Sequence, residues 1–244
     1  MTALSINVNK IALIRNSRGA NNPNVSEFAK KALDLGVQGI TVHPRPDQRH
    51  ICYSDLVVLK DLVDQYPNTE FNIEGYPSKD FLDHVIRLKP HQVTFVPDPP
   101  EALTSSFGWD VVAHCEFLTT CIALVHEHAI RTSLFVDSKF SNFTELIATK
   151  TDRIELYTGP YAEMFFQNKI EAVAPFVDLA KQLSAYNIGI NAGHDLTLDN
   201  CAYFLDQVPN VLEVSIGHQV ICDALEIGWE SAIKSYLSRL KSTN

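Results

Sequence analysis

Short apolar runs rich in β-branched residues recur along the chain, each followed by a longer stretch in which apolar positions return with helical spacing. The runs predict strands over residues 5–8, 39–42, 71–73, 92–95, 131–136, 153–157, 189–191 and 213–216. Between them the spacing predicts helices over 25–35, 54–65, 79–88, 111–128 and 170–186. Eight strands joined by helix-sized connections form the pattern of right-handed βαβ units around a parallel sheet. A doubly wound open sheet shares this rhythm, but it usually carries a glycine-rich phosphate turn after its first strand. Here the first strand runs into INVNKIALIRN, which contains no G-x-G-x-x-G. The expected fold is therefore a (β/α)8 TIM barrel, and 244 residues suit a single barrel domain over 1–244.

Composition narrows the function classes. Hydrophobic residues make up 45% and charged residues 20%, which is enough apolar material for a full core. A net charge of −9 without clustered Lys and Arg argues against a nucleic-acid partner. The opening MTALSINVNK has neither the charged nor the apolar part of a secretory leader, and no apolar run is long enough to span a bilayer. These features point to a cytoplasmic protein with no membrane partner. The odd set Cys52, Cys115, Cys121, Cys201 and Cys222 has no C-x-x-C spacing, so reduced thiols are expected.

In a barrel of this kind the residues just past the strand ends converge on one face, where the chemistry is done. The predicted ends deliver Asn7 and Asn9, His43 and Arg45, Glu74, Asp98, Asp137, Thr158, Asn191 with His194, and Gly217 with His218. Any one of them alone reads equally well as a cap or turn former. Arrival from several strands favours a site.

TVHPRPDQRH holds His43, Arg45, Arg49 and His50 in a loop stiffened by Pro44 and Pro46, a cationic segment suited to an anionic ligand. His43, with an ordinary pKa of about 6.5, suits proton transfer near neutrality. Glu74 follows an apolar strand, where partial burial would strengthen it as a base. NAGHD and SIGH each place a glycine and a histidine after a strand and before a helix, a setting in which backbone N–H groups can hold phosphate. His43, His50, His194, His218 and Glu74 also offer metal donors, but no H-x-H lies on a strand, so no metal is expected.

Several longer motifs lie in order along nearly the whole chain. They are N-x-N-K-I-A-x-x-R-N-x-R-G from Asn7 to Gly19, G-I-T-V-H-x-R-x-D-x-R-H-I from Gly39 to Ile51, N-I-E at Asn72 to Glu74, VP at Val96, IELYTG, NAGH at Asn191 and IGH at Ile216. In these the sequence resembles the pyridoxine 5′-phosphate synthase family. The resemblance implies cofactor-independent joining of 3-amino-2-oxopropyl phosphate to 1-deoxy-D-xylulose 5-phosphate, giving pyridoxine 5′-phosphate, phosphate and water. It implies His43 and Glu74 as proton acceptors and His194 as proton donor. Arg45, His50 and Thr104 would hold the xylulose phosphate, and Asn7, Arg18, Gly217 and His218 the aminoketone phosphate. The arginine matching Arg18 would reach across a subunit interface in an octamer of paired barrels.

Asn9 and Lys10 stand where the commoner pattern has an Asp-His pair on the sugar phosphate, and Asp195 where a glycine often follows the histidine. They are expected to keep substrate contacts, Lys10 as a cation and Asp195 through its backbone N–H with its carboxylate turned away from phosphate. Two rival readings remain at this level: an aldolase or lyase using Lys10 as a Schiff-base lysine, and a barrel that only binds a phosphorylated metabolite.

Overall fold

The computed structural model describes residues 2–98, 102 and 104–241. In chain order, β1 (Ala3–Asn7) leads into α1 (Asn9–Asn16) and α2 (Val25–Asp34), β2 (Gly39–Val42) into α3 (Tyr53–Val63), and β3 (Glu70–Gly75) into α4 (Lys79–Leu88). β4 (Gln92–Phe95) precedes α5 (Cys115–His126), β5 (Arg131–Val136) precedes α6 (Phe143–Thr149), and β6 (Arg153–Tyr157) precedes α7 (Gly159–Leu183). β7 (Gly189–Gly193) is followed by α8 (Cys201–Gln207), and β8 (Val211–Ile216) by α9 (His218–Ile227) and α10 (Trp229–Lys241). Every neighbouring strand pair is parallel, and β1 closes on β8 through Ala3↔Glu213 to Ile6↔Ile216. The chain is a (β/α)8 barrel.

Strand alternation explains which residues hold this barrel. Leu4, Ile6, Ile40, Val42, Phe71, Ile73, Val93 and Phe95 are fully buried and belong to the apolar core shared with the helices. Burying such a side chain contributes about 1.5–3 kcal/mol. The intervening residues are polar and hydrogen-bonded to one another. Ser5 Oγ lies 2.7 Å from Thr41 Oγ1, and Asn72 bridges Thr41 (3.4 Å) and Thr94 (3.1 Å). Asn191 on β7 donates to Gln92 on β4 (3.5 Å) although these strands are not neighbours, so the contact crosses the lumen. The interior thus holds a polar network whose paired members offset the cost of their burial, with Ser133 Oγ on β5 left without a partner among the described residues.

Helix starts are set locally. Asn24 Oδ1 accepts from the N–H groups of Ser26 and Glu27 at the start of α2, and Ser78 Oγ accepts from Phe81 N–H at the start of α4. α5 begins four residues later than the periodicity predicts, because 111–114 form a turn in which His114 N–H donates to Asp110 O. α7 starts eleven residues earlier than expected and is interrupted at Asn168 (φ −156°, ψ 90°). Val8, expected to end the first strand, instead precedes α1 with φ −90° and ψ 9°. The five cysteines are free thiols. Among the described residues no helix is long and apolar enough to cross a membrane.

Candidate active site

The carboxyl-terminal mouth of the barrel opens into a cavity of about 340 Å³, within the range of small-molecule sites. It is lined by His43, Glu74 and His194 together with Asn7, Asn9, Lys10, Arg45, His50, Thr104, Asp195, Gly217 and His218. The residues implied by the resemblance are therefore in one place except Arg18, while the strand-end candidates Asp98, Asp137, Thr158 and Asn191 do not line the cavity. Arg18 is exposed, in the turn after α1, and does not line this chain's cavity.

α1 and the loop after β2 build one wall. Asn9 N–H donates to Asn7 Oδ1 (3.0 Å), and Asn9 Oδ1 accepts from His43 N–H (2.9 Å), so the start of α1 fixes the backbone at His43. Behind the loop, Arg15 grips Asp55 of α3 through Nη1 and Nη2 (2.6 and 2.8 Å) and Asn16 Nδ2 donates to His50 O (2.7 Å). His43, Arg45 and His50 are all buried, which a merely solvated basic loop would not be.

Arg45 does not hang free for a ligand. Its Nη2 donates to Asp98 Oδ2 (2.7 Å), which also accepts from Ser105 Oγ (2.5 Å), so the loops after β2 and β4 are tied together beneath the cavity wall. His50 Nδ1 accepts from Ile51 N–H (2.9 Å), which places the ring proton on Nε2. Burial and then the neighbouring cations push its pKa down to about 3, so it stays neutral.

His43 and Glu74 face each other with Nδ1 3.6 Å from Oε2. Burial, followed by the charge of Arg45, lowers the His43 pKa, while burial raises that of Glu74. His43 is thus held neutral below the range expected from its free value, and Glu74 becomes a stronger base than an exposed carboxylate.

His194 follows β7 in a left-handed conformation with φ +95°, unusual for a residue with a Cβ. Its Nδ1 lies 2.7 Å from Asp195 Oδ2 and its Nε2 2.6 Å from Thr104 Oγ1. Two expectations are corrected here. The chain after Gly193 turns through 194–200 instead of starting a helix, because His194 leaves the strand in that left-handed turn and α8 begins only at Cys201. The Asp195 N–H, expected to contact substrate, donates instead to Thr158 Oγ1 (3.2 Å), while its carboxylate is turned to His194. Only the second glycine-histidine pair starts a helix, with Gly217 preceding α9 and His218 as its first residue. The positive end of α9 and its unpaired N–H groups suit a phosphate there.

Glu155, Ser105, Ser215, Val96 and Phe135 also line the cavity, and the strand-end rule passed over them. Glu155 lies within β6 opposite Phe135 and Asn191. Burial, then Glu74 and Glu213, keeps its pKa well above the usual carboxylate range, making it a hydrogen-bond donor. A lone carboxylate inside the run RIELY was the available signal. Among the described residues no cluster of three His, Cys, Asp or Glu side chains could hold a metal ion.

The model of the pyridoxal phosphate biosynthesis protein PdxJ family matches residues 4–242. The chain belongs to the PdxJ family. Among its relatives, a pyridoxine 5′-phosphate synthase of Parabacteroides distasonis is 49% identical over 242 residues, covering 99% of this chain and all of the relative. The corresponding synthase of Christiangramia forsetii is 49% identical over 241 residues, again with 99% and 100% coverage. The barrel also superimposes on 3-keto-L-gulonate-6-phosphate decarboxylase from Vibrio cholerae with a TM-score of 0.64, covering all of this chain and 99% of the other. At 11% identity that likeness concerns the fold alone.

Proposed function

We propose that this protein is a cytoplasmic pyridoxine 5′-phosphate synthase that condenses 3-amino-2-oxopropyl phosphate with 1-deoxy-D-xylulose 5-phosphate. The observation that carries the reading is the cavity itself. It gathers His43, Glu74 and His194 between a cationic wall and the start of α9, in a chain whose relatives bear that name.

The aminoketone phosphate sits against Gly217 and His218, where the α9 N-terminus offers backbone donors, with Asn7 alongside. The sugar phosphate sits against Arg45, His50 and Thr104, with Asn9 and Lys10 at the same wall. Asp195 acts at this site through its partner His194. The substrate amine attacks the sugar ketone to form an imine, with no enzyme lysine involved. Glu74 and His43 take up protons as water and phosphate leave, and His194 donates one to a departing or carbonyl oxygen. Fixing both phosphates supplies as much as ~7–11 kcal/mol of barrier reduction through positioning. Arg18, exposed outside the cavity, acts on the aminoketone phosphate of a neighbouring protomer in a homo-octamer of paired barrels.

The test is to incubate the purified protein with both substrates, without metal or nucleotide, and measure pyridoxine 5′-phosphate and phosphate together. Equal amounts are expected. Borohydride added during turnover is expected to leave Lys10 unmodified, whereas a substrate adduct there would replace this reading with a Schiff-base lyase.

A further inference from the structure

We infer that Asp195 is the positioning residue of His194: its carboxylate orients the ring and fixes a proton on Nδ1, leaving Nε2–H to serve as the donor. The inference rests on the reading of His194 as proton donor and adds what makes it one.

Asp195 is clamped on its own account. Its N–H donates to Thr158 Oγ1 (3.2 Å), whose hydroxyl in turn donates to Gly193 O (2.7 Å), and its carbonyl accepts from Asn200 Nδ2 (3.4 Å). Side chains of consecutive residues point apart in extended chain. The left-handed backbone at His194 (φ +95°) accompanies a geometry in which they meet, Oδ2 lying 2.7 Å from Nδ1. Holding a residue with a Cβ in that conformation costs about 1–3 kcal/mol, and such outliers gather at functional sites. The ring is held on its other sides by Thr104 Oγ1 at Nε2 (2.6 Å) and by the Tyr157 ring, edge-on at 6.0 Å.

Three histidines of the cavity, buried His43 and His50 and half-buried His194, separate on this feature. His43 and His50 have lowered pKa values. For His194, burial alone works downward, but the hydrogen bond and charge of Asp195, with Glu74 and Asp98 beyond, reverse it and the net shift is upward. The groups facing the ring are Asp195 on its own loop, Glu74 from β3, Asp98 and Thr104 after β4, His43 after β2 and Tyr157 at the end of β6. Asp195 alone among the carboxylates is in hydrogen-bond contact with it.

The experiment is an imidazole-nitrogen NMR titration of the full-length protein, with His194 assigned through His194→Gln, comparing wild type with Asp195→Asn and Asp195→Glu. The expected result is a wild-type ring protonated at Nδ1 and a titration midpoint that moves to lower pH in Asp195→Asn and recovers in Asp195→Glu. In parallel, the alkaline limb of kcat moves to lower pH in Asp195→Asn, so that kcat at pH 8 falls at least about tenfold while KM changes little. An unchanged midpoint and tautomer in folded Asp195→Asn would overturn the inference. A wild-type protein that forms no pyridoxine 5′-phosphate fails the functional reading instead, and the NMR titration still decides the Asp195–His194 link.

Discussion

His43 Nδ1 lies 3.6 Å from Glu74 Oε2, a separation longer than a hydrogen bond, with both groups enclosed at the mouth of the barrel. Burial works on them in opposite directions, lowering the basicity of the imidazole and raising that of the carboxylate. Each is thereby pushed toward its neutral form. The pair avoids a permanent buried ion pair, whose desolvation would offset much of its attraction, and the proton acceptors are His43 in its neutral form and Glu74 in its carboxylate form.

This ordering has a sign in the pH profile. Glu74 acts as a base only as the carboxylate, and its raised pKa means that the carboxylate is lost on acidification earlier than for an exposed glutamate. The acid limb of kcat is expected well above the ordinary carboxylate value of about 4.3. Initial rates between pH 4 and 9 check this, and a limb at the ordinary value would remove Glu74 from the role of base.

Arg15 lies outside the cavity, yet its two bonds to Asp55 help hold α1 against the loop carrying His50. Breaking a fully buried pair costs about 3–5 kcal/mol, and the partial exposure of this one reduces that to about 2 kcal/mol. Arg15→Leu is expected to lower Tm by about 4–8 °C and to raise KM for the sugar phosphate more than it lowers kcat. Calorimetry and steady-state kinetics measure the two effects separately.

Glu213 is buried inside the barrel, and burial, then Glu70, pushes its pKa up to about 7. Its folded pKa exceeds the unfolded one, so its contribution is fully present below about pH 4.5 and is lost as pH rises through 7, a change of about 3 kcal/mol. Glu213→Gln mimics the protonated form. Its Tm is expected to match wild type near pH 4.5 and to exceed it increasingly up to pH 8, as thermal melts across that range would show.

A Cβ at Gly217 would meet Asn7 Cβ at 2.9 Å and Asn7 O at 3.2 Å. Gly217→Ala must therefore push the start of α9 away from β1, at a cost in stability of about 1–3 kcal/mol. Because misplacement by about 1 Å can cost a hundredfold in rate, KM for the aminoketone phosphate is expected to rise at least about tenfold. Titration of that phosphate alone, followed by calorimetry, measures the same weakening without turnover.

The strands were legible because each carries apolar residues on the face that meets the helices. α1 was not, since NKIALIRN follows β1 without a loop and its central apolar run lacks helical spacing. Asn7, His43, Arg45, Glu74 and His194 at the mouth could be located from the rule that strand ends converge. Their pairings could not. Arg45 finds Asp98 from 53 residues away, and Arg15 finds Asp55 from 40. The contact between His194 and Asp195 depends on a backbone angle that no residue pattern encodes. Arg18 is an exposed cation in the turn after α1, and only the resemblance assigns it a role.

The most direct measurement is a single-turnover reaction of wild type and Glu74→Gln with both phosphorylated substrates, quenched and read by mass spectrometry, after calorimetry has shown that each protein binds both. The account predicts one pyridoxine 5′-phosphate and one phosphate per wild-type site, with formation slowed about 10²–10⁴-fold in Glu74→Gln. A wild-type protein that binds both substrates and forms no product, or a Glu74→Gln variant that turns over at the wild-type rate, would contradict it.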